Sequence, residues 1–98
     1  MLSVKNIVEL IDEQESIDFL AKMIQHKSYT ETEGEIALAT FMRDEMVNLG
    51  LDAQLQPVAE NRVNAIGTLR GTGGGKSLLF NGHLDTNPVT EGWSVDPW

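Results

Sequence analysis

The sequence predicts an α/β fold in which N-terminal helices are followed by strands. Apolar residues recur at helical spacing through the first fifty positions. Residues 51–55 then alternate between apolar and polar side chains, which is typical of a strand with one solvent-exposed face. Residues 77–80 include three consecutive apolar side chains, which is typical of a short strand buried on both faces. This order favours an α/β sheet whose remaining crossovers lie outside these residues.

Two helices are predicted before residue 26. Ser3 is a suitable N-cap for the first, whose apolar positions are Val4, Ile7, Val8 and Ile11. The second follows an acidic step and carries Ile17, Leu20, Ala21 and Ile24. Residues 26–30 are predicted to form a loop.

The third helix has the clearest boundaries. Thr32 and Glu35 have the spacing of a capping box, in which a hydroxyl and a carboxylate satisfy the first backbone amides. Gly50 stands where a helix C-terminus favours glycine. Its apolar face comprises Leu38, Phe41, Met42, Met46 and Leu49.

The second half is predicted to contain strands. The alternating segment 51–55 is expected to end at Pro57, because proline cannot donate a ladder hydrogen bond. A second strand is expected at 63–69, a turn at 70–76 and the buried strand at 77–80. From Asn81 to Trp98 the chain is polar and rich in turn-forming residues.

The composition limits the possible partners. The chain has 98 residues, with 7 Lys and Arg against 15 Asp and Glu, giving a formal charge of −8. This acidity argues against nucleic acid, because phosphate binding needs clustered cations. Zero cysteines exclude disulfides and thiolate metal sites. The sequence has no secretory signal and no apolar run near the roughly 18 residues of a membrane span. We therefore expect a cytoplasmic protein without membrane contact. Residues 1–98 are expected to form part of one domain.

The glycine-rich segment 70–76 suggests nucleotide binding, but it matches neither the P-loop motif nor the dinucleotide-binding fingerprint. A P-loop ending in Gly75-Lys76-Ser77 requires glycine at position 70, which is Arg70. A dinucleotide fingerprint starting at Gly71 requires glycine at Lys76. We therefore predict a flexible strand-to-strand turn, with nucleotide binding as a minor hypothesis.

The segment 81–88 carries the most informative chemistry. His83 and Asp85 follow the predicted buried strand, at the carboxyl end where open α/β sheets bind ligands. Residues two apart in extended chain point to the same side, so both side chains can reach one site. Neutral histidine binds transition metals, and a carboxylate on its other ring nitrogen fixes the tautomer. The alternative is a chance pairing in a surface loop.

The wider neighbourhood resembles the M20 metallopeptidase family, which includes acetylornithine deacetylases, succinyl-diaminopimelate desuccinylases, aminoacylases and glutamate carboxypeptidases. The similarity lies in residues 77–86 with Pro88, in residues 92–98, in residues 64–71, and in the helix that ends at residues 49–51. The implied fold is part of the catalytic domain of a zinc-dependent exopeptidase-like α/β protein. The family position of Asn87 usually carries an apolar residue, and that of Trp98 more often carries Phe.

The resemblance implies a metal-dependent amidohydrolase. His83 would bind one of two zinc or cobalt ions, and Asp85 would orient its imidazole. The implied substrate is an N-acyl amino acid, as in acetylornithine deacetylase, or a small peptide. A water acidified by the metals would attack the amide carbonyl while a separate glutamate moves the proton. A homodimer is possible for the full-length form.

The family's other ligands are expected after this segment: a bridging aspartate, a glutamate pair, a further carboxylate and a late histidine. His26 is expected to be a solvent-facing residue at a helix end, and the carboxylates of 9–18 and 31–35 are expected on wet helix faces and caps. We therefore expect an N-terminal fragment that is inactive alone, since a catalytic zinc has three protein ligands. The alternative is a stand-alone, non-catalytic interaction module derived from that family.

Overall fold

A computed structural model describes residues 2–98, in which helices precede a two-stranded antiparallel sheet. The elements are α1 (Val4–Glu9), α2 (Glu13–Gln25), α3 (Glu33–Asn48), β1 (Asp52–Ala59) and β2 (Arg62–Thr68). This confirms helices followed by strands and a small α/β arrangement. No helix in the described residues is long and apolar enough to cross a membrane.

The N-terminus of α1 follows the prediction. The Ser3 hydroxyl accepts a hydrogen bond from the Asn6 amide at 3.2 Å, and the Asn6 side chain accepts one from the Ser3 amide at 3.2 Å. The helix ends at Glu9, so Ile11 lies outside it. All residues of α1 are exposed, and its apolar stripe therefore contributes nothing to the core of the described chain.

Thr32 is the N-cap residue of α3, but the prediction of a capping box there is wrong. Thr32 makes no side-chain capping bond, and its hydroxyl donates to the Tyr29 carbonyl oxygen at 2.6 Å. The Glu35 carboxylate accepts instead from the Glu31 amide at 3.1 Å and from Arg62. A tertiary ion pair has therefore taken the carboxylate that local spacing assigned to the cap.

The C-terminus of α3 confirms the role of Gly50. Its φ is 89°, in the left-handed region that favours glycine. The Gly50 amide donates to the Val47 carbonyl at 2.9 Å, and the Leu51 amide donates to the Met46 carbonyl at 2.9 Å. This pair of bonds is a Schellman motif, and it turns the chain into β1.

Strands β1 and β2 form a hairpin, with Asp52 opposite Thr68. The alternation of exposure is present from Asp52 to Leu55, as predicted. The prediction that β1 stops at Pro57 is wrong, because Pro57 pairs with Val63 and the strand continues to Ala59. A register irregularity between Pro57 and Ala59 accommodates the missing donor in this edge strand.

The core lies where α3 packs on the hairpin. Leu38 and Ala39 are the hydrophobic residues buried within the described chain, at 2% and 1% exposure. Phe41, on the same helix, contacts Phe19 of α2 with ring centroids 5.6 Å apart. Leu38 and Phe41 of the apolar face predicted for α3 therefore make core contacts, whereas Leu49 is the C-cap residue and is 75% exposed, so its assignment to that face is wrong.

The predicted strand at residues 77–80 does not form. These residues pair with no strand in the part of the chain described, and Leu78, Leu79 and Phe80 are 79–87% exposed. A strand with apolar side chains on both faces needs covering layers on both sides, and the single hairpin provides neither. The glycine segment does bend at residues 72–75, but the described residues that follow it form no strand, so the predicted strand-to-strand turn is wrong.

Candidate metal-ligand site

The loop that carries His83 and Asp85 pairs with the connection between α2 and α3. Tyr29 and Thr86 form an isolated parallel bridge. The Thr86 amide donates to the Ser28 carbonyl at 2.8 Å, and the Ser28 hydroxyl donates to the Leu84 carbonyl at 2.7 Å. Ser28 is 2% exposed, so these bonds anchor the loop against a buried residue.

His83 and Asp85 lie together. The His83 Nδ1 atom is 2.9 Å from the Asp85 carbonyl oxygen and 3.2 Å from its Oδ1 atom. Because both partners are acceptors, Nδ1 must carry the proton that it shares with them. In the neutral imidazole, Nε2 then has a free lone pair. The His83 side chain is 84% exposed, so this nitrogen is accessible to a ligand.

The carboxylate of Asp85 is held from its other side. The Thr30 hydroxyl donates to Oδ2 at 2.9 Å. This bond is the main cause that lowers the pKa of Asp85 below its ordinary value of 3.8, with bonds from the Asp85 amide and from His83 acting in the same direction. Asp85 is therefore an anion that faces the Nδ1 proton of His83.

A second charged cluster lies beside this loop. Arg62 donates from Nε to Glu35 Oε1 at 2.8 Å and from its Nη2 atom to Oε2 at 3.1 Å. These bonds lower the pKa of Glu35, while the charge of Asp85 acts in the opposite direction. Glu35 is 7% exposed, so the prediction that it lies on a wet helix face is wrong. The ion pair with Arg62 explains how a carboxylate is tolerated there.

Sequence reasoning missed Thr30 and Arg62. Thr30 lies 55 positions from Asp85, in a segment predicted only as a loop. Arg62 lies at the start of the second strand, and no spacing rule links it to Glu35. Both become part of the site region only when α2, α3 and the hairpin pack together.

His26 and Trp98 have structural roles. His26 is the C-cap of α2, as expected at a helix end, but it packs on Phe41 with ring centroids 4.7 Å apart and is half-buried. Trp98 packs beneath the Lys27 ammonium, which is 4.9 Å from its ring centroid. Trp93 is 59% exposed.

The described residues around His83 form no complete metal centre. No group of three or more His, Asp or Glu side chains in residues 2–98 is arranged to hold a metal ion. His83 thus provides one accessible nitrogen, with Asp85 behind it. No family model and no solved structure matches this chain.

Proposed function

We propose that this chain provides the first metal ligand, His83, and its orienting carboxylate, Asp85, to an M20-type two-metal amidohydrolase. The substrate class is an N-acyl amino acid, as in acetylornithine deacetylase, or a small peptide. The observation that carries the proposal is the Nδ1 atom of His83, which meets two acceptors of Asp85 and leaves Nε2 free.

The donor chemistry fits one position of such a centre. Histidine ligands of metals usually donate their second ring proton to a carboxylate or carbonyl, and His83 has both acceptors at hydrogen-bond distance. Zinc and cobalt accept imidazole nitrogen readily. Glu35 is not offered as a ligand, because Arg62 already occupies both of its oxygens.

The roles of this chain's residues follow from that geometry. When bound, a metal pair would supply an acidified water and polarisation of the amide carbonyl. His83 contributes the Nε2 lone pair, and Asp85 keeps the proton on Nδ1 so that this lone pair stays available. We assign the remaining ligands and the proton-transferring glutamate to residues outside this segment, and so expect the 98-residue chain alone to hydrolyse no N-acetylornithine.

Metal contact at His83 is the direct test. We expect Co²⁺ titration, followed by long-range ¹H–¹⁵N spectra of the imidazoles, to broaden the His83 resonances at lower metal concentration than those of His26. His83→Asn should remove this effect, and His26→Asn should leave it intact. Broadening of His26 first, or of neither ring, would count against the proposal.

The reaction class has its own test in the complete coding sequence of the natural protein. We expect a bridging aspartate, a glutamate pair, a further carboxylate and a histidine there. A continuation without these ligands would exclude the two-metal enzyme. Chelator-sensitive hydrolysis of N-acetylornithine by the 98 residues alone would instead contradict the expectation that this chain is inactive by itself.

A non-catalytic interaction module is the second candidate, because Leu78, Leu79 and Phe80 expose a contiguous apolar segment. It requires that the 98 residues unfold cooperatively and form an oligomer of defined size. Sedimentation and denaturant unfolding of the purified chain distinguish it from an enzyme fragment, for which neither property is required.

A further inference from the structure

We propose that Thr30 is a positioning residue for His83, acting through Asp85, and that the α2–α3 connection thereby selects the imidazole tautomer that leaves Nε2 free. The inference rests on the proposed function for the use of that nitrogen. It assigns to residues 28–30 a role that their sequence as a loop does not suggest.

Thr30 orients the Asp85 carboxylate. The Thr30 hydroxyl donates to Oδ2 of Asp85 at 2.9 Å, while Oδ1 lies 3.2 Å from Nδ1 of His83. The two oxygens of a carboxylate are rigidly linked, so a hydrogen bond to one limits rotation of the other. Thr30 therefore keeps Oδ1 directed toward the imidazole.

The backbone carbonyl of Asp85, the second acceptor of the imidazole proton, is also oriented by the α2–α3 connection. The Thr86 amide donates to the Ser28 carbonyl at 2.8 Å. In a trans peptide the carbonyl of the preceding residue points away from that amide, so the Asp85 carbonyl is directed to the opposite side. There it lies 2.9 Å from His83 Nδ1. The connection thus fixes both acceptors of the imidazole proton.

The α2–α3 connection is tied to the loop by further hydrogen bonds. The Thr30 amide donates to the Thr86 carbonyl at 3.2 Å, and the buried Ser28 hydroxyl donates to the Leu84 carbonyl at 2.7 Å. Together with the bond from Thr30 to Asp85, these bonds hold all three of residues 84–86. The His83 side chain itself is 84% exposed, so hydrogen bonding has to provide the orientation that packing does not.

Thr30→Val tests the inference because it removes the hydroxyl and keeps the side-chain shape. The readout is the His83 tautomer ratio, measured from long-range ¹H–¹⁵N spectra of the metal-free chain at alkaline pH, where the imidazole is neutral. We expect the Nδ1-protonated fraction to dominate in the wild type. Its ratio to the other tautomer should fall about two- to tenfold in the variant, the range for loss of one ordinary hydrogen bond.

Two matched variants separate positioning from general loosening. Thr30→Ser keeps the hydroxyl and should restore the wild-type ratio. Thr32→Val removes a hydroxyl from the same connection, one that donates to Tyr29 and not to Asp85, and should leave the ratio unchanged. If Thr30→Val unfolds the chain, Thr30→Ala removes the same hydroxyl with less crowding and takes its place.

An unchanged tautomer ratio in a folded Thr30→Val or Thr30→Ala variant would overturn the inference. An equal change in Thr32→Val would also overturn it. Adding Co²⁺ to the same samples keeps the two proposals apart. A Thr30-dependent tautomer without metal contact at His83 contradicts the proposed function alone, whereas metal contact with a Thr30-independent tautomer contradicts this inference alone.

Discussion

Glu35 of α3 and Arg62 of β2 form a bidentate ion pair across the interface between the helix and the hairpin, with bonds of 2.8 and 3.1 Å. The Glu31 amide donates to the same carboxylate at 3.1 Å. The pair therefore links the hairpin, the first turn of α3 and the end of the connection that carries Thr30. The hydrophobic burial nearby is limited to Leu38 and Ala39 in the described residues.

Replacing Glu35 by Gln should destabilise the fold. The amide keeps the shape but loses the charge-assisted bonds to Arg62, and we expect the free energy of unfolding to fall by roughly 1–2 kcal/mol. Urea unfolding followed by circular dichroism measures this loss. Glu33→Gln changes an exposed carboxylate in the same turn and should have little effect. Equal losses in the two variants would show that the ion pair contributes nothing.

Acid should weaken the fold through the same residue. The pKa of Glu35 is lowered from its ordinary value of 4.5, chiefly by Arg62. As the pH falls, the unfolded chain therefore binds a proton before the folded chain does, and unfolding becomes more favourable. The stabilisation that the ionised Glu35 carboxylate contributes is complete above about pH 5. It is lost as the pH falls through the pKa of Glu35 in the folded state. The pKa of Asp85 is also lowered, from its ordinary value of 3.8, so protonation of Asp85 likewise favours unfolding in acid.

The measurement for this acid effect is the free energy of unfolding from pH 7 to pH 3, for the wild type and for Glu35→Gln. The difference between the two proteins should be greatest near neutrality and shrink in acid. A difference that stays constant with pH would refute the assignment of this effect to Glu35.

Gly34→Ala should destabilise the chain, although alanine normally favours a helix by up to about 1 kcal/mol over glycine. A β-carbon at Gly34 would clash with the Lys27 carbonyl oxygen and lie 2.8 Å from that of His26. The α2–α3 connection would have to move, and we expect a loss of about 1–3 kcal/mol. Gly71→Ala is the control, because nothing lies within 4 Å of the added carbon. Thermal unfolding of both variants shows whether Gly34→Ala lowers or raises the stability of the fold.

The exposed segment at residues 78–80 should promote self-association. Leu79 is 86% exposed between two other exposed apolar residues, and such patches associate in water. Leu79→Lys should lower the weight-average mass seen by sedimentation at high protein concentration. Leu49→Lys makes the same charge change at an exposed leucine at the end of α3 and should leave the mass unchanged. If both variants or neither lower the mass, association does not depend on this segment.

Some features of the fold were predictable from short stretches of sequence. Ser3 caps the start of α1 and Gly50 terminates α3, both through bonds to residues a few positions away, so their spacing carries the information. The proximity of His83 and Asp85 was also predictable, because residues two apart in extended chain share a side. The predicted strand end at Pro57 was wrong because an irregular edge strand tolerates a proline that a regular ladder would exclude.

Other features depended on contacts between distant segments. Glu35 fitted a capping pattern, but Arg62 binds its carboxylate across 27 positions. Thr30 meets Asp85 across 55 positions, and no periodicity links two loops. The apolar run at 78–80 indicated a buried strand, whereas burial requires neighbouring strands and helices, which the described chain does not place around it. Helix ends and side-chain alternation are local because their hydrogen bonds are local, while ion pairs, loop docking and burial arise only when separate segments pack together.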